Sequence, residues 1–431
     1  MLDDGRFLPV IVCPMPSLAA ELQDAANAEL KFVDYSGAEV RPAGAAPRGE
    51  PPERQGPASW LRRSYLLRAL VALARLVRAR ARMAALFRGA PAAVVVFEDR
   101  APHPEMVFLA HARRRGVRSV LVSFAASSVE SDAISRRERP EHLVDRPPWR
   151  AVKRLLAGRY PEQVRDTPWG RMLFFSAPET LALACCGLLE GRNWYYGGGA
   201  VDLCTKLGRE DLEHARDEGA PAEKFVVTGQ PLMDTMHRAR ARAAGLRAGL
   251  AAKYALRPGR PLVICAVPHA AEHALVSWDR HMALSAALFR ALGASGADIL
   301  LSLHPRSIPR TYESLARESG CRMLEERLSA VLPAADVFVA SYSSTVRWAL
   351  LMGIPTIMAD FLRFGFRQFA DLPGSVIECD AAGLERALRR LIEDPAERER
   401  MGREAAARAM GREEFDGKAC ARIIETLKME R

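Results

Sequence analysis

Short apolar runs alternate with amphipathic stretches along most of the chain. The runs 92–97 and 117–124 lie on either side of a stretch, 106–115, whose apolar residues recur at helical spacing. Apolar runs of about four to eight residues are typical of strands that are buried on both faces of a parallel sheet. The alternation therefore predicts an α/β protein and argues against an all-β fold or a helical bundle.

A second series of the same kind begins after residues 257–261, whose Pro and Gly residues are typical of a linker. Strands are predicted at 262–267, 298–303, 336–340 and 353–358, with helices between them and after them. No period of about 20 to 50 residues recurs that would indicate a solenoid. The pattern as a whole predicts two α/β domains.

The N-terminal part of the chain is expected to open with a strand at 7–13 and a helix at 18–30. Residues 41–58 are rich in Pro and Gly and poor in large apolar side chains, which indicates a loop or a flap. A long helix is predicted at 60–88. Residues 139–200 do not follow the alternation, and we expect an insertion there that lines a cleft.

The predicted helix at 60–88 carries arginines between its Leu, Val and Ala residues. One interpretation is that the helix docks on an acidic membrane surface, as would suit an enzyme with a lipid-linked acceptor. The alternative is a helix that covers a core and exposes its arginines to solvent. The arginines are Arg62, Arg63, Arg68, Arg75, Arg78, Arg80, Arg82 and Arg88.

The composition is that of a folded globular protein. Of 431 residues, 49% are hydrophobic and 26% are charged, which excludes a disordered tail, a collagen-like chain and a disulfide-stapled miniprotein. The longest apolar runs, 92–97 and 181–189, fall short of the ~20 residues that cross a bilayer. Residues 1–6 lack the features of a signal peptide. We therefore expect a cytoplasmic protein.

Basic residues outnumber acidic ones, 62 to 52, which gives a formal net charge of +10. This balance favours anionic partners such as nucleotides, phosphorylated sugars or acidic lipids. Nucleic acid is not an expected partner, because the sequence has no RNP motif, zinc finger or helix-turn-helix. The eight cysteines form no C-x-x-C pair, which favours reduced thiols over a zinc ribbon or a redox dithiol.

Polar residues of the second series cluster where predicted strands end, which is where open parallel sheets bind ligands. Four hydroxyl residues follow the strand 336–340, and they and the adjacent amides are suited to a diphosphate at a helix N-terminus. The alternative is that one of them is only the N-cap of that helix. His304 and Arg306 follow the strand 298–303 and supply an imidazole and a bidentate cation. The hydroxyl residues are Ser341, Ser343, Ser344 and Thr345.

The segment from His269 to His273 fits the H-x-x-E-H pattern of a class of zinc peptidases. That chemistry requires both histidines on one helical face and a third ligand from elsewhere in the chain. Pro268 and the strand before it instead place His269 at the start of a loop. In that position, the two histidines could approach a nucleotide or a sugar phosphate.

Four segments together resemble the GT-B superfamily. They are residues 218–234, which end in Gly229-Gln-Pro-Leu-Met-Asp234, then Leu303-His-Pro-Arg306, Ser341-Tyr-Ser-Ser-Thr345 with Ala349, and Gly353-Ile-Pro355. They are most similar to the branch that holds UDP-N-acetylglucosamine 2-epimerases, CDP-glycerol glycerophosphotransferases and capsule-type glycosyltransferases. The resemblance covers about residues 210–360.

The resemblance implies two Rossmann-like domains that face each other across a cleft. The G-x-P-x-x-D segment would close an acceptor-side domain of residues 1–235, which contains the insertion 139–200. Residues 236–431 would bind the nucleotide, and their last helix would cross back to the first domain. The residues expected around the nucleotide are Gly229, His269, His273, His304, Arg306, Ser341, Ser343, Ser344 and Thr345.

Two departures from the family pattern bear on the reaction. Epimerases of this branch carry an acidic residue soon after the serine loop, where this chain has Arg347 and Trp348, and this counts against an epimerase. Many transferases of the branch carry a His-Gly pair after the strand that 117–124 would match, and this chain has none at 123–128. The catalytic residue is therefore left open among Glu98, Asp99, Glu130 and His304. The alternative for Glu98 and Asp99 is that they only pair with Arg100.

The resemblance implies a metal-independent glycosyltransferase that needs no cofactor. It would move a sugar or sugar-like unit from a nucleotide donor to a glycan or lipid-linked acceptor in surface polysaccharide synthesis, in the cytoplasm or at the inner face of the membrane. The alternatives are an enzyme like UDP-GlcNAc 2-epimerase and a non-catalytic nucleotide-sugar-binding protein. Trp194-Tyr-Tyr196, beside three glycines, is either a loop that stacks a sugar ring or a packed turn.

Overall fold

The chain folds into two compact units. The first comprises Met1–Val227 and Ala421–Arg431, and the second comprises Thr228–Cys420, so the G-x-P-x-x-D segment lies at the start of the second unit. The computed structural model describes residues 10–12, 31–34, 38–41, 64–88, 91–102, 104–124, 128–272, 275–304, 307–366, 369–409 and 415–428. The predicted helix at 18–30 and most of the predicted loop at 41–58 lie outside the described residues.

The described elements of the first unit follow the predicted alternation of strands and helices. In chain order they are β1 (Val10–Val12), β2 (Lys31–Val33), α1 (Tyr65–Met83), β3 (Ala93–Val96), α2 (Glu105–Arg114), β4 (Arg118–Leu121), α3 (Val129–Arg136), α4 (Arg150–Arg159), β5 (Val164–Thr167), β6 (Gly170–Leu173), α5 (Ala177–Cys185), β7 (Leu203–Lys206), α6 (Arg209–Asp217) and β8 (Phe225–Val227).

Within the described part of the first unit, four strands form a parallel sheet in the order β3-β4-β7-β8. The Val-rich sequence of β3 suits its place in this sheet, where Val94 and Val96 are buried. β1 and β2 form a separate parallel pair. The segment 139–200 supplies α4, the antiparallel hairpin of β5 and β6, and α5, and α5 packs against α1.

The second unit contains the predicted second series of strands. In chain order its described elements are α7 (Pro231–Arg240), α8 (Ala243–Tyr254), β9 (Leu262–Ala266), α9 (Trp278–Gly293), β10 (Asp298–Ser302), α10 (Arg310–Glu318), β11 (Arg322–Met323), α11 (Leu328–Val331), β12 (Val337–Ala340), α12 (Thr345–Leu351), β13 (Thr356–Ala359), β14 (Ser375–Glu378), α13 (Ala381–Glu393) and α14 (Pro395–Ala409). The last helix, α15 (Ala419–Lys428), begins in the second unit and ends in the first.

The described strands of the second unit form one parallel sheet in the order β11-β10-β9-β12-β13-β14. Numbered within this sheet, the order is 3-2-1-4-5-6, which is the order of a doubly wound Rossmann fold. On one face of this sheet, a buried core packs the two helices α9 and α13 onto the strands through residues such as Phe289, Leu301, Val339 and Leu388. The predicted α/β class with two Rossmann-like domains is confirmed, whereas the expected cleft between the domains stays a prediction.

The basic stretch of residues 238–254 predicts a single helix, and the structure has two, α7 and α8. α7 already begins at Pro231, because proline suits the first position of a helix, where its missing N–H is not needed. The chain leaves helical geometry at Arg242 before α8 begins. The short edge strand β11 and the half-exposed strand β14 were not predicted, since neither has a long apolar run.

Helix α1 begins after Ser64, whose Oγ accepts the amide N–H of Leu67 at 3.4 Å. One face of the helix is buried through Ala69, Leu76, Ala79 and Met83. The outer face exposes apolar and basic side chains, namely Leu66, Leu70, Val71, Val77, Arg75, Arg78 and Arg82. Over the part of the chain that the structure describes, no helix is long and apolar enough to cross a membrane.

The buried carboxylate of Asp234, the last residue of the G-x-P-x-x-D segment, caps the last helix. Its Oδ1 accepts the amide of Ala419 at 2.8 Å and its Oδ2 accepts the amide of Cys420 at 2.9 Å. Further along α15, Ile423 and Leu427 pack on the buried valines of the β4 region in the first unit. The aspartate of this segment therefore has a structural role at the N-terminus of α15.

The Asp234→Ala variant should lower the free energy of unfolding by about 2–4 kcal/mol, because two charge-assisted hydrogen bonds disappear from a buried helix start. Asp394 is the matched control, since it also accepts two amides, those of Ala396 and Glu397, but is exposed. Asp394→Ala should cost about 1 kcal/mol. Urea unfolding of both variants measures the difference, and equal losses would contradict the capping role of Asp234.

Candidate functional site

The candidate site lies at the carboxyl edge of the second sheet, where the strand order reverses between β9 and β12. From β9 the chain winds outward through β10 and β11, and it then returns to the other side of β9 as β12. The loops after β9 and β12 therefore leave the sheet in opposite directions and open a crevice, which is where doubly wound folds bind their ligands. Most of the predicted nucleotide residues are in the loops after β9, β10 and β12.

Two of the predicted histidines meet at this edge. His269 follows β9, His304 follows β10, and the two strands are adjacent, with Ala266 opposite Ser302. The imidazole rings stack with their centroids 4.0 Å apart and their planes 14° from parallel. Both side chains are half-buried.

The serine loop is organised by bonds among its own residues. The Oγ of Ser343 accepts the amide of Thr345 at 3.3 Å and its hydroxyl at 2.9 Å. The next two amides, of Val346 and Arg347, bond back to the carbonyls of Ser343 and Ser344. Ser344 occupies the N-cap position of α12 but makes no side-chain cap bond. The amides of Thr345, Val346 and Arg347 and the hydroxyl proton of Thr345 are thus engaged within the turn.

Tyr342 anchors the serine loop to the loop after β13. Its hydroxyl donates to Oδ2 of the buried Asp360 at 2.9 Å, and its ring packs on Phe366 and Phe369. Asp360 also accepts the amides of Phe364 and Gly365 at 2.9 and 3.0 Å. Burial raises the pKa of Tyr342, so the hydroxyl keeps its proton and serves as a donor. Two neighbouring loops are thereby held together on the β12 side of the crevice.

Gly229 lies between β8 and α7 at a φ of +79°, a conformation that favours glycine. The next residue, Gln230, is buried, and its Oε1 accepts the indole N–H of Trp348 at 3.0 Å. Trp348 belongs to α12, which follows the serine loop. The structure thus joins the G-x-P-x-x-D segment to the serine-loop helix, a contact that the sequence pattern did not indicate.

The remaining residues of the predicted nucleotide site are only partly described. Arg306 and His273 lie outside the described residues. In the H-x-x-E-H segment, Oε1 of Glu272 accepts hydrogen bonds from Ser307 and Tyr312. Within the described part of the chain, no group of three His, Cys, Asp or Glu side chains is placed to hold a metal ion.

Of the predicted acidic residues in the first unit, Asp99 is buried, with 1% of its surface exposed. Its two oxygens accept the amides of Gly197 and Gly199 at 3.2 and 2.9 Å. Burial raises the pKa of Asp99. A carboxylate that is enclosed in this way holds the Gly197–Gly199 turn and has no surface left for an acceptor hydroxyl.

Glu98 and Glu130 are half-buried near the carboxyl ends of β3 and β4. The Oε1 of Glu98 accepts the amides of Asp99 and Arg100 and the Nε–H of Arg100 at 3.2 Å, so the expected pairing with Arg100 is present. Glu130 lies in the first turn of α3, after the N-cap Ser128. The hydrogen bonds to Asp99 and Arg100 fix the carboxylate of Glu98 near the carboxyl end of β3.

A buried cluster of charged and aromatic side chains beside β3 was not predicted. Arg100 donates to Asp132 at 2.6 Å and lies over the rings of Phe174 and Tyr196. Arg136 also bonds to Asp132 and lies over Phe174. Apart from Asp132 and Arg136, which are four residues apart on α3, these partners are far apart in the sequence, so no local pattern indicates them.

The aromatic residues beside the three glycines form the packed turn that was one of the two options. Trp194 is buried, and its Nε1–H donates to the carbonyl of Gln163 at 3.0 Å. Tyr196 is also buried, and its hydroxyl donates to the carbonyl of Phe97. These rings stabilise the first unit and are not open to stack on a sugar.

Comparisons with known proteins support the resemblance at the level of the fold. No protein-family model matches the chain, and no curated protein matches it in sequence. A UDP-GlcNAc 2-epimerase from Neisseria meningitidis, solved with UDP-GlcNAc bound, is 11% identical, with a TM-score of 0.51 over 97% of this chain and 90% of that one. At this identity the likeness shows the fold alone.

Two other neighbours have lower scores. Another UDP-N-acetylglucosamine 2-epimerase is 12% identical, with a TM-score of 0.48 over 97% of this chain and 86% of that chain. The wall teichoic acid polymerase TagF is 15% identical, with a TM-score of 0.42 over 72% of this chain and 67% of that chain. The neighbour with a TM-score of 0.51 is one of the kinds of protein named in the resemblance.

The Gly199→Ala variant should destabilise the first unit, because the added Cβ would lie 2.9 Å from Oδ2 of Asp99 and 3.2 Å from Nδ2 of Asn193. We expect a loss of about 1–3 kcal/mol from this overpacking. Gly158→Ala is the control: it lies in α4, where a Cβ meets nothing within 4 Å, and should stabilise by about 0.5–1 kcal/mol. Thermal unfolding measures both. An unchanged melting temperature for Gly199→Ala would contradict the structural role of Asp99.

Proposed function

We propose that the chain is a glycosyltransferase of surface polysaccharide synthesis, which moves a sugar or sugar-like unit from a nucleotide donor to a glycan or lipid-linked acceptor. The observation that carries the proposal is that His269, His304 and the serine loop follow three adjacent parallel strands, β9, β10 and β12, at the same edge of the sheet. That arrangement suits an anionic nucleotide. A structural neighbour solved with UDP-GlcNAc bound adds support for a nucleotide-sugar ligand.

In the proposed donor site, the second unit would stabilise the charge on the departing nucleotide diphosphate. Arg306 would supply a bidentate cation, and Ser341, Ser343, Ser344 and Thr345 would donate hydroxyl hydrogen bonds. His269 and His304 would donate ring N–H groups from the loops after β9 and β10. Gly229 and His273 would also lie next to the bound nucleotide. We expect transfer without a divalent metal, because residues 228–420 contain no two aspartates close together in the sequence to hold one, and Arg306 would supply the positive charge.

Activation of the acceptor hydroxyl would fall to a carboxylate of the first unit. Among the predicted residues, Glu98 is the better candidate, because its side chain is 32% exposed while Arg100 and two amides fix its orientation. Glu130 is the second candidate, at the start of α3. Asp99 is excluded from this role in the proposal, because its oxygens are enclosed by the Gly197–Gly199 turn.

An epimerase is the principal rival, because the neighbour with a TM-score of 0.51 is one. Against it stands the first turn of α12, where Arg347 and Trp348 replace the acidic residue expected of epimerases. A non-catalytic nucleotide-sugar-binding protein is the other rival, since the His-Gly pair is missing. The reactions separate the three: an epimerase converts nucleotide sugar without an acceptor, a transferase requires the acceptor, and a binding protein does neither.

We further propose that α1 docks on the acidic lipid surface of the membrane that carries the acceptor. Leu66, Leu70 and Val77 recur at spacings of four and seven residues, so they form one exposed apolar stripe. Exposed Arg75 and Arg78 lie beside the stripe on the same helix. An apolar stripe flanked by arginines complements the acyl boundary and the headgroups of anionic lipids.

Nucleotide binding tests the donor site. A thermal-shift panel of nucleotide sugars identifies the ligand, and titration calorimetry then compares variants. Arg306→Ala should weaken binding by roughly ten- to more than a hundredfold, since a charge-assisted bond contributes about 1.5–3 kcal/mol. Ser344→Ala should weaken the binding free energy by only about 1 kcal/mol, and a chelator should leave the affinity unchanged.

The control for Arg306→Ala is Arg317→Ala, at an exposed arginine near the end of α10, which should bind as the wild type does. If Arg306→Ala lost thermal stability but kept wild-type affinity, Arg306 would be structural and the proposed site wrong.

Vesicle co-sedimentation tests the proposed membrane docking. The wild-type chain should co-sediment with vesicles that contain phosphatidylserine. It should not co-sediment with neutral phosphatidylcholine vesicles. Replacing Arg75, Arg78 and Arg82 by Gln should weaken binding at least about tenfold, since each arginine near the surface contributes about 1 kcal/mol. A matched triple replacement of Arg386, Arg389 and Arg390, exposed on α13, should bind as the wild type does. Equal losses in both triple variants would mean that net charge, and not α1, drives the binding.

A further inference from the structure

One buried carboxylate joins the loops that carry the two stacked histidines. Glu272 lies in the loop after β9, and its side chain is 9% exposed. Its Oε1 accepts the hydroxyl of Ser307, in the loop after β10, at 2.6 Å. The same oxygen accepts the hydroxyl of Tyr312, in α10, at 2.9 Å. A single oxygen atom thus ties two loops and a helix together.

A histidine behind this carboxylate completes the network. The Nε2 of His281, in α9, lies 2.7 Å from the hydroxyl oxygen of Tyr312, and both residues are buried. Because the Tyr312 hydroxyl donates to Glu272, His281 must donate its own Nε2–H to Tyr312. Burial lowers the pKa of His281, which favours the neutral ring, and its Nε2–H tautomer makes this bond.

The ionised form of Glu272 suits the same arrangement. Burial opposes its ionisation, but the hydrogen bonds from Ser307 and Tyr312 outweigh that effect and leave the pKa of Glu272 below its usual value. A charged acceptor makes stronger hydrogen bonds than a neutral one. The network therefore consists of a carboxylate with two hydroxyl donors, one of which is itself oriented by an imidazole.

The spacing along the chain relates this network to the candidate site. Glu272 follows His269 by three residues, and Ser307 follows His304 by three residues. The two loops are therefore in contact twice: through the stacked rings at the crevice and through the Glu272–Ser307 bond behind them. A shift of either loop would have to break that bond or pull the rings apart.

We propose that Glu272, acting through Ser307 and Tyr312, is a positioning residue that holds the loops after β9 and β10 in the arrangement that binds the nucleotide diphosphate. This inference rests on the proposed donor site. A loop that is held before the ligand arrives does not lose its conformational freedom on binding. Without the bond, the competent arrangement is only partly populated, and the apparent dissociation constant rises in proportion.

Calorimetric titration with UDP and CDP tests this role. Glu272→Ala and Ser307→Ala should raise the dissociation constant about five- to twentyfold, as the competent loop arrangement becomes a minor state. Glu272→Gln keeps a carbonyl oxygen that accepts both hydroxyls and should stay within about threefold of the wild type. This rescue by the conservative variant distinguishes positioning by an acceptor from a role that requires charge.

The matched control is Asp298→Asn. Asp298 is also a buried carboxylate of the second unit, but it lies at the amino end of β10, where it pairs with Arg257 at 2.8 Å. This variant should lose thermal stability and keep the wild-type dissociation constant. It separates general destabilisation from a specific effect at the carboxyl edge.

A second readout needs no nucleotide. In NMR spectra, the imidazole resonances of His269 and His304 can be assigned by substituting each histidine in turn. These resonances should shift in Glu272→Ala and Ser307→Ala. They should keep their wild-type chemical shifts in Glu272→Gln and Asp298→Asn. If Glu272→Ala fails to fold, Ser307→Ala removes only a hydroxyl and carries the same test. Unchanged ring resonances, or wild-type affinity in Ser307→Ala together with Glu272→Ala, would overturn the positioning role. If the wild type bound no nucleotide, the proposed function would fail, and the ring resonances would still decide on the positioning.

Discussion

The reversal of strand order between β9 and β12 is the constraint on which the candidate site depends. Parallel strands deliver all their carboxyl ends to one edge, and the reversal sends the loops of two adjacent strands apart. His269 follows the strand on one side of this point, and the serine loop follows the strand on the other. The sheet therefore creates a polar crevice by its topology, and the side chains decide which ligand fits it. Hydroxyl and imidazole groups there favour an anion.

Buried carboxylates hold the connecting segments of both units. Glu272 ties the loop after β9 to that after β10, and Asp360 ties the serine loop to the loop after β13. In the first unit, Asp99 holds the Gly197–Gly199 turn, and in the second, Asp234 caps α15. Each accepts at least two hydrogen bonds, at least one of them from another segment, which offsets the cost of burying its charge. The chain thus uses acidic side chains to fix loops, and an acidic residue at a strand end is not by itself a sign of catalysis.

The sequence was informative where the structural signal is local. The apolar runs predicted β3, β9, β10 and β12, and the polar residues after the strands of the second series predicted the edge at which a site would form. The cap made by Asp234, the packing of Trp194 and the bond between Trp348 and Gln230 were not predictable, because their partners are distant in the sequence. Strand β11 has only two residues, which is too few to show a pattern of apolar positions.

The central claim is that a nucleotide diphosphate binds at the carboxyl edge of the second sheet, between the loops after β9 and β12. A crystal structure of the chain with UDP or CDP bound tests it most directly. Both phosphates should lie within hydrogen-bond distance of the Ser341–Thr345 hydroxyls. His269 or His304 should contact the phosphates from the side opposite the serine loop. Phosphates bound at the sheet of the first unit, or at the amino edge of the second, would contradict it.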